Sequence, residues 1–185
     1  GVRQLLKKRA RDCSCLYREL HVPFPALPDD EIVSTILHSI SDKTKVLVLD
    51  HISSATALIF PIDKILKALV DYDLHIIVDG AHAPGMLDFA SWEILPDWYV
   101  GNLHKWVCAP LGAGFIWSSP EVRQMTHPLV VSHFLGESYS QEFDWQGTKD
   151  ITSWLTVNDA ILNYSSDEWN ARREFNNTLT KEFEE

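Results

Sequence analysis

Asp79 and Lys105 are the residues of this 185-residue chain whose type and position speak most directly of chemistry. Asp79 ends the apolar run Leu74-His75-Ile76-Ile77-Val78-Asp79 and is followed by Gly80-Ala81-His82. Lys105 ends the run Trp98-Tyr99-Val100-Gly101-Asn102-Leu103-His104-Lys105. Each run reads as a buried strand whose polar residues gather at its carboxyl end, where open α/β sheets place ligand chemistry. One acid, two histidines and one lysine delivered from two strand ends suit a pyridoxal phosphate site. There the lysine forms a Schiff base and a carboxylate faces the pyridinium nitrogen.

Partial desolvation of a lysine favours the neutral amine that imine formation needs. Without such company, a lysine at a strand end is a surface residue with its stem on apolar ground. An aspartate before glycine is otherwise a turn or cap residue. His82 lies three residues after Asp79, within reach of a cofactor phenol oxygen, while His104 and Asn102 are candidate phosphate donors. His21, His38, His75 and His127 read as structural histidines. Ser53, Ser54 and Thr56 form a hydroxyl cluster after another strand end, suited to a phosphate or phenolate; turn chemistry accounts for them almost equally well. Thr148, after Gly147, offers one hydroxyl and a backbone N–H. Gly112-Ala113-Gly114 lacks the third glycine of a dinucleotide fingerprint. Cys108 is close to Lys105 in sequence, but no basic residue stands out to activate it, and it reads as a core residue.

The elements that must position these residues follow from periodicity and breakers. A basic amphipathic helix spans Val2 to Asp12, and a short strand is expected near Cys15 to Val22. Pro23, Pro25 and Pro28 enforce an extended linker. Asp29 or Asp30 caps a helix through Ile40. Strand Lys45 to Ile52 precedes a helix that Pro61 starts and that runs to about Tyr72. Strand Leu74 to Val78 follows, then a turn at Pro84-Gly85, a short helix near Phe89 to Leu95, and strands Trp98 to Val100 and Phe115 to Ser118. Glu121 to Met125 is helical, Leu129 to Ser132 is a candidate strand, and Ile151 to Tyr164 and Ser166 to Glu185 read as helices. Apolar strands alternating with helices indicate an α/β fold, with a mostly parallel central sheet covered by helices on both faces.

Composition agrees with one substantial domain: 45% of residues are hydrophobic and 11% aromatic, enough for a real core. The net charge of −10 argues against nucleic acid or an anionic membrane as partner. No run approaches the length of a membrane span, and no signal-peptide pattern opens the chain. Three cysteines make no disulfide framework. A reducing compartment, the cytoplasm, is the expected location. Both ends read as cut within helices, so a piece of a longer protein is expected.

The segments His51-Ile-Ser-Ser-Ala-Thr-Ala-Leu-Ile-Phe-Pro-Ile, Val78-Asp-Gly-Ala-His-Ala-Pro-Gly, Gly101-Asn-Leu-His-Lys-Trp and Asp144-Trp-Gln-Gly-Thr-Lys-Asp resemble class V aminotransferase-type enzymes. The branch they resemble is the isopenicillin N epimerase-like group, which is similar to cysteine desulfurases. The resemblance implies pyridoxal phosphate as cofactor, the fold-type I large domain, an amino-acid substrate, and a homodimer with active sites at its interface. It matches Lys105 to the Schiff-base lysine and Asp79 to the pyridinium partner. His82 falls beside the phenol oxygen, where desulfurases have glutamine. His104 and Asn102 fall at phosphate positions, Asn102 replacing a common serine. Thr148 matches a threonine that reaches the other subunit's phosphate, and Ser54 falls where desulfurases carry a cofactor-contacting asparagine.

Residues 1–165 are then expected to belong to the cofactor-binding large domain, and 166–185 to a helix leading toward a small domain beyond Glu185. That small domain would carry the arginine for the substrate carboxylate. The implied reaction is epimerisation or C–S lysis through an α-carbanion, with transamination as the alternative. Two readings compete with it: a non-catalytic homologue serving as an interaction module, and a metal-dependent hydrolase using Asp79, His82 and His104. The hydrolase reading lacks a His-x-x-x-His or equivalent ligand pair.

Overall fold

The computed structural model describes residues 1–23, 27–88 and 92–184. These divide into two units, Gly1–Ser41 and Asp42–Glu185. In the first unit, α1 (Val2–Asp12) forms as expected, with no buried residue. Arg3 and Lys7 pair with Glu19, exposed contacts of little energetic weight. The strand expected near Cys15 to Val22 does not form. Leu16 stands almost fully exposed, and an unpaired strand leaves its backbone groups to water. Instead Arg18 donates to the Ser39 carbonyl at 3.0 Å. Pro28, rather than an aspartate, occupies the N-cap of α2 (Asp29–Ser39), and Asp29, Asp30 and Glu31 fill the first turn, where negative charge meets the positive end of the helix dipole. Pro25 of the expected linker lies outside the described residues.

The second unit is built on a four-stranded sheet in the order β1 (Val46–Asp50), β2 (His75–Gly80), β3 (Trp98–Asn102), β4 (Gly114–Ser118). The first three strands run parallel, and β4 runs antiparallel to β3. This is the mostly parallel α/β sheet that the apolar runs imply. Between β1 and β2 lies α3 (Ile62–Leu69), with Pro61 at its N-cap. It buries Ile62, Ile65, Leu66 and Leu69, a helical stripe in which each side chain contributes about 1.5–3 kcal/mol over exposure. Asp97 fixes the start of the sheet: its carboxylate accepts from the Ile76 N–H at 2.7 Å and meets His75 Nδ1 at 3.2 Å. His75 is therefore structural.

Several expected elements differ. Phe89, Ala90 and Ser91 of the expected short helix lie outside the described residues, and Trp92 to Leu95 is not helical. Pro120–Met125 is a 3₁₀ helix. Leu129 to Ser132 makes no strand. Its loop is tied instead by buried Glu142, which accepts from the Gly136 N–H at 2.9 Å and bonds His127 Nδ1 at 2.7 Å. Glu142 belongs to α4 (Tyr139–Asp144), an unforeseen helix capped by the Ser138 hydroxyl. The helix expected over Ile151 to Tyr164 breaks at Thr156 into α5 (Thr152–Leu155) and α6 (Val157–Leu162). The Thr156 hydroxyl bonds back to the Thr152 and Ser153 carbonyls, a contact that bends helices. The last helix, α7, spans Ser166–Glu184. No helix among the described residues is long and apolar enough to cross a membrane.

Candidate active site

Parallel register places Asp50 beside Asp79 and Asp79 beside Val100, with Gly80 opposite Gly101. The ladder continues one step past β1, since the His51 N–H donates to the Asp79 carbonyl at 2.8 Å. Side chains alternate along β2, so Asp79 points away from the face that holds Val78 and Gly80. Its Oδ1 accepts the Ala81 N–H at 3.0 Å. Asp79 is thus a turn aspartate in addition to a strand-end acid. The Ala83 N–H closes that turn on the Gly80 carbonyl at 3.0 Å and brings His82 back over the strand end.

The lysine arrives from β3 on a self-closed loop. The Leu103 N–H donates to Ala113, Ala109 to Leu103, and Cys108 to Lys105. Cys108 takes a left-handed φ of 62° there and is exposed, which corrects its expected place in the core. Gly85, at φ 87°, backs directly onto this loop; a Cβ would sit 2.8 Å from the Trp106 carbonyl carbon and oxygen. The Pro84-Gly85 turn and the lysine loop are therefore packed backbone to backbone. Lys105 Nζ ends 3.1 Å from His82 Nε2. Asp79, His82 and Lys105 are all half-buried, shielded on one side and reachable on the other.

The remaining expected site residues are placed unequally. Asn102 ends β3 opposite Gly114. His104 Nδ1 lies 2.8 Å from the Ala113 carbonyl, so Nδ1–H donates there and Nε2 is the atom left to meet a ligand. A neutral imidazole can only accept at that position; donation to a phosphate requires the cation. Ser53 and Thr56 are absorbed by their turn: their hydroxyls lie 2.6 Å apart, and Ser53 Oγ accepts the Leu58 N–H at 2.9 Å. Ser54 is exposed on the same turn, and Thr148 is exposed in a bend after Gly147. Among the described residues no hydrogen bond joins Ser54 or Thr148 to Asp79, His82 or Lys105. No three His, Cys, Asp or Glu side chains among the described residues are grouped to hold a metal ion.

Three residues near the site escaped the sequence reading. Burial first, and then Asp79, raise the Asp50 carboxyl above its ordinary range, while His82 offsets part of this. His51 is buried and its pKa is lowered to about 4 by that burial. Its Nδ1 lies 3.0 Å from the Tyr99 hydroxyl, which burial and Asp79 hold well above the ordinary phenol range. Asp50-His51 carries the same signal that exposed Asp79, polar residues closing an apolar run. Tyr99, inside its strand, carries none.

Comparison with known proteins places this geometry in a family. A probable chloroplastic L-cysteine desulfhydrase of Arabidopsis thaliana is 31% identical over 153 residues, covering 75% of this chain and 31% of that protein. The isopenicillin N epimerase of Streptomyces clavuligerus is 30% identical over 155 residues, covering 74% of this chain and 39% of that protein. The chain thus spans about a third to two fifths of these relatives' lengths. In fold it is similar to the cystine C–S lyase C-DES, solved with its product cysteine persulfide. That structure has a TM-score of 0.74 and 20% identity, covering 88% of this chain and 46% of that one. The family model described as aminotransferase class-V matches residues 21–185, and this chain belongs to that family.

Proposed function

We propose that this chain is the cofactor-binding part of a pyridoxal phosphate enzyme acting on an amino acid. The observation that carries the reading is the 3.1 Å approach of Lys105 Nζ to His82 Nε2, three residues beyond a strand-end aspartate. The donor set fits the cofactor. Lys105 presents an amine to its aldehyde. Asp79 has one oxygen committed to Ala81 and a second available to a ring N–H.

In this reading Asp79 holds a proton on the ring nitrogen. His82 orients Lys105 and faces the phenol oxygen, while Asn102 and His104 Nε2 serve the phosphate. Ser54 is assigned a cofactor contact from its strand-end turn. When bound, pyridoxal phosphate supplies an electron sink for charge at the substrate α-carbon. Lys105 Nζ is the amine that would take or return the proton at the substrate α-carbon. The names of the relatives favour C–S lysis or epimerisation as the outcome, with transamination the alternative.

Residues 1–165 are assigned to the large domain and α7 to the passage toward a small domain. A homodimer is proposed as the working form. Leu129, Val130, Val131, Phe134 and Leu135 gather exposed apolar side chains within seven positions of the chain, the kind of surface that association covers. Thr148 would then serve the partner's phosphate. The free, exposed thiols Cys13, Cys15 and Cys108 accord with a reducing compartment, the cytoplasm.

The test is to mix full-length protein with pyridoxal phosphate, reduce with borohydride, and map the adduct. A visible band trapped on Lys105 and lost in Lys105→Ala supports the reading. A protein with no band and no adduct is a non-catalytic homologue.

A further inference from the structure

Asp79 can partner a ring nitrogen only if its strand end is held still, yet it lies at the last residues of a short strand, where ladders fray. The structure supplies a restraint on the opposite face. His51 follows β1 and Tyr99 lies within β3, so β2 runs between them. Their side chains nonetheless meet, His51 Nδ1 to the Tyr99 hydroxyl at 3.0 Å. They meet across Gly80: a Cβ on that residue would fall 2.0 Å from the Tyr99 hydroxyl oxygen and 2.1 Å from the ring carbon bearing it. The phenol therefore fills the space that a side chain at Gly80 would take.

Packing holds the bridge in place. His51 and Tyr99 are each 5% exposed. Trp92 packs against both rings, with centroids 5.2 Å from His51 and 5.7 Å from Tyr99. Phe115 stacks on Tyr99 at 6.1 Å. The same His51 gives its backbone N–H to the Asp79 carbonyl at 2.8 Å. One residue thus holds Asp79 directly by its backbone and, through its imidazole, ties β1 to β3 across the residue that follows Asp79.

We infer that the His51–Tyr99 hydrogen bond over Gly80 is a clamp that positions Asp79 for the cofactor. The inference rests on the proposed pyridoxal phosphate reading. His51 and Tyr99 are positioning residues, since they lie on the sheet face away from the Asp79 side chain. The bridge needs a glycine at position 80, a phenol at 99 and a hydrogen-bonding atom where His51 Nδ1 stands. Charging His51 would place a cation at a buried position beside the Trp92 and Tyr99 rings.

The test uses the full-length protein, first without cofactor. Backbone amide exchange is compared in the parent, Tyr99→Phe, His51→Leu and His51→Asn. Tyr99→Phe keeps the ring and removes only the hydroxyl. It is expected, with His51→Leu, to speed exchange of the His51 N–H at least tenfold while mid-strand amides of β1 and β2 change less than twofold. His51→Asn places an amide atom where Nδ1 stood and retains the parent's protection. With pyridoxal phosphate added, Tyr99→Phe is still trapped on Lys105 by borohydride, but it releases the unreduced cofactor at least threefold faster than the parent. Unchanged exchange at the position-51 amide in Tyr99→Phe overturns the clamp. So does exchange that rises equally along both strands, which marks general stability instead of positioning. If the parent itself yields no adduct on Lys105, the cofactor reading fails, and the exchange result alone decides whether the clamp holds Asp79.

Discussion

Lys105 Nζ and His82 Nε2, 23 positions apart in sequence, lie 3.1 Å apart at the carboxyl edge of the sheet. Two separate loops make that approach: the turn after β2 carries the imidazole, and the closed loop after β3 carries the amine. Because Gly85 packs against the Trp106 backbone, neither loop can shift without the other.

His82→Ala removes the ring that Lys105 Nζ meets at 3.1 Å. Cofactor affinity is expected to fall about tenfold, or about 1.4 kcal/mol, with the adduct still on Lys105. His82→Gln, which keeps a hydrogen-bonding group, is expected to lose less. Absorbance titration with pyridoxal phosphate measures both. Parental affinity in His82→Ala removes His82 from the site.

Gly80→Ala drives a methyl group into the Tyr99 phenol. Overpacking of this kind costs about 1–3 kcal/mol, and Tyr99 already packs against Trp92 and Phe115. A lowered urea midpoint with an unchanged slope is the expected result. Adding Tyr99→Ala to Gly80→Ala should cost less than the sum of the two single changes, because the clash is gone. Simple additivity would show that the contact does not limit position 80.

The strand ends were legible for a physical reason: a buried parallel strand is apolar until it leaves the core, so its first polar residues mark the edge where ligands bind. That pattern exposed Asp79 and Lys105 and implied a mostly parallel sheet; the order β1-β2-β3-β4 came only from the structure. The antiparallel turn of β4 was not legible, because Phe115 to Ser118 is apolar in either direction. Neither was Tyr99, whose hydroxyl matters only because β1 ends two strands away. Leu129 to Ser132 looked like a strand because its residues favour one. Its conformation is set instead by Glu142, which lies later in the chain and clips the loop at Gly136 and His127. The fold of the sheet was thus written locally, while contacts made across strands and loops were not.

His51 carries a pH dependence whose sign is fixed by its burial. Its pKa falls from 6.5 to about 4 in the folded protein. Between those values the unfolded chain binds a proton that the native state excludes. The contribution is therefore fully present above pH 6.5 and is lost as pH falls toward 4, amounting to roughly 3 kcal/mol at most. His51→Asn cannot titrate, so its stability should fall less than the parent's over that window. Urea unfolding at pH 7 and pH 4.5 measures the difference. Parallel losses in parent and variant would assign the acid sensitivity to other groups.

Asp50 and Asp79 are register partners on adjacent strands, so their side chains share one face of the sheet and repel when both are ionised. Burial is the larger cause of the raised Asp50 pKa, and the Asp79 charge is the next. Asp79→Asn removes that charge and leaves the burial, so the Asp50 pKa should move down but stay above its ordinary 3.8. Carboxyl-carbon NMR titration of the cofactor-free protein measures this directly. The same variant keeps the Asp79 backbone contact to His51 but offers the ring nitrogen an amide in place of a carboxylate. Cofactor should still be trapped on Lys105, and the electron sink should weaken, because a neutral amide does not hold the ring N–H as a cation. An Asp50 titration unmoved by Asp79→Asn would mean that the two carboxyls do not sense each other. Asp79 would then be a turn aspartate bound to Ala81, with no charge directed at the site.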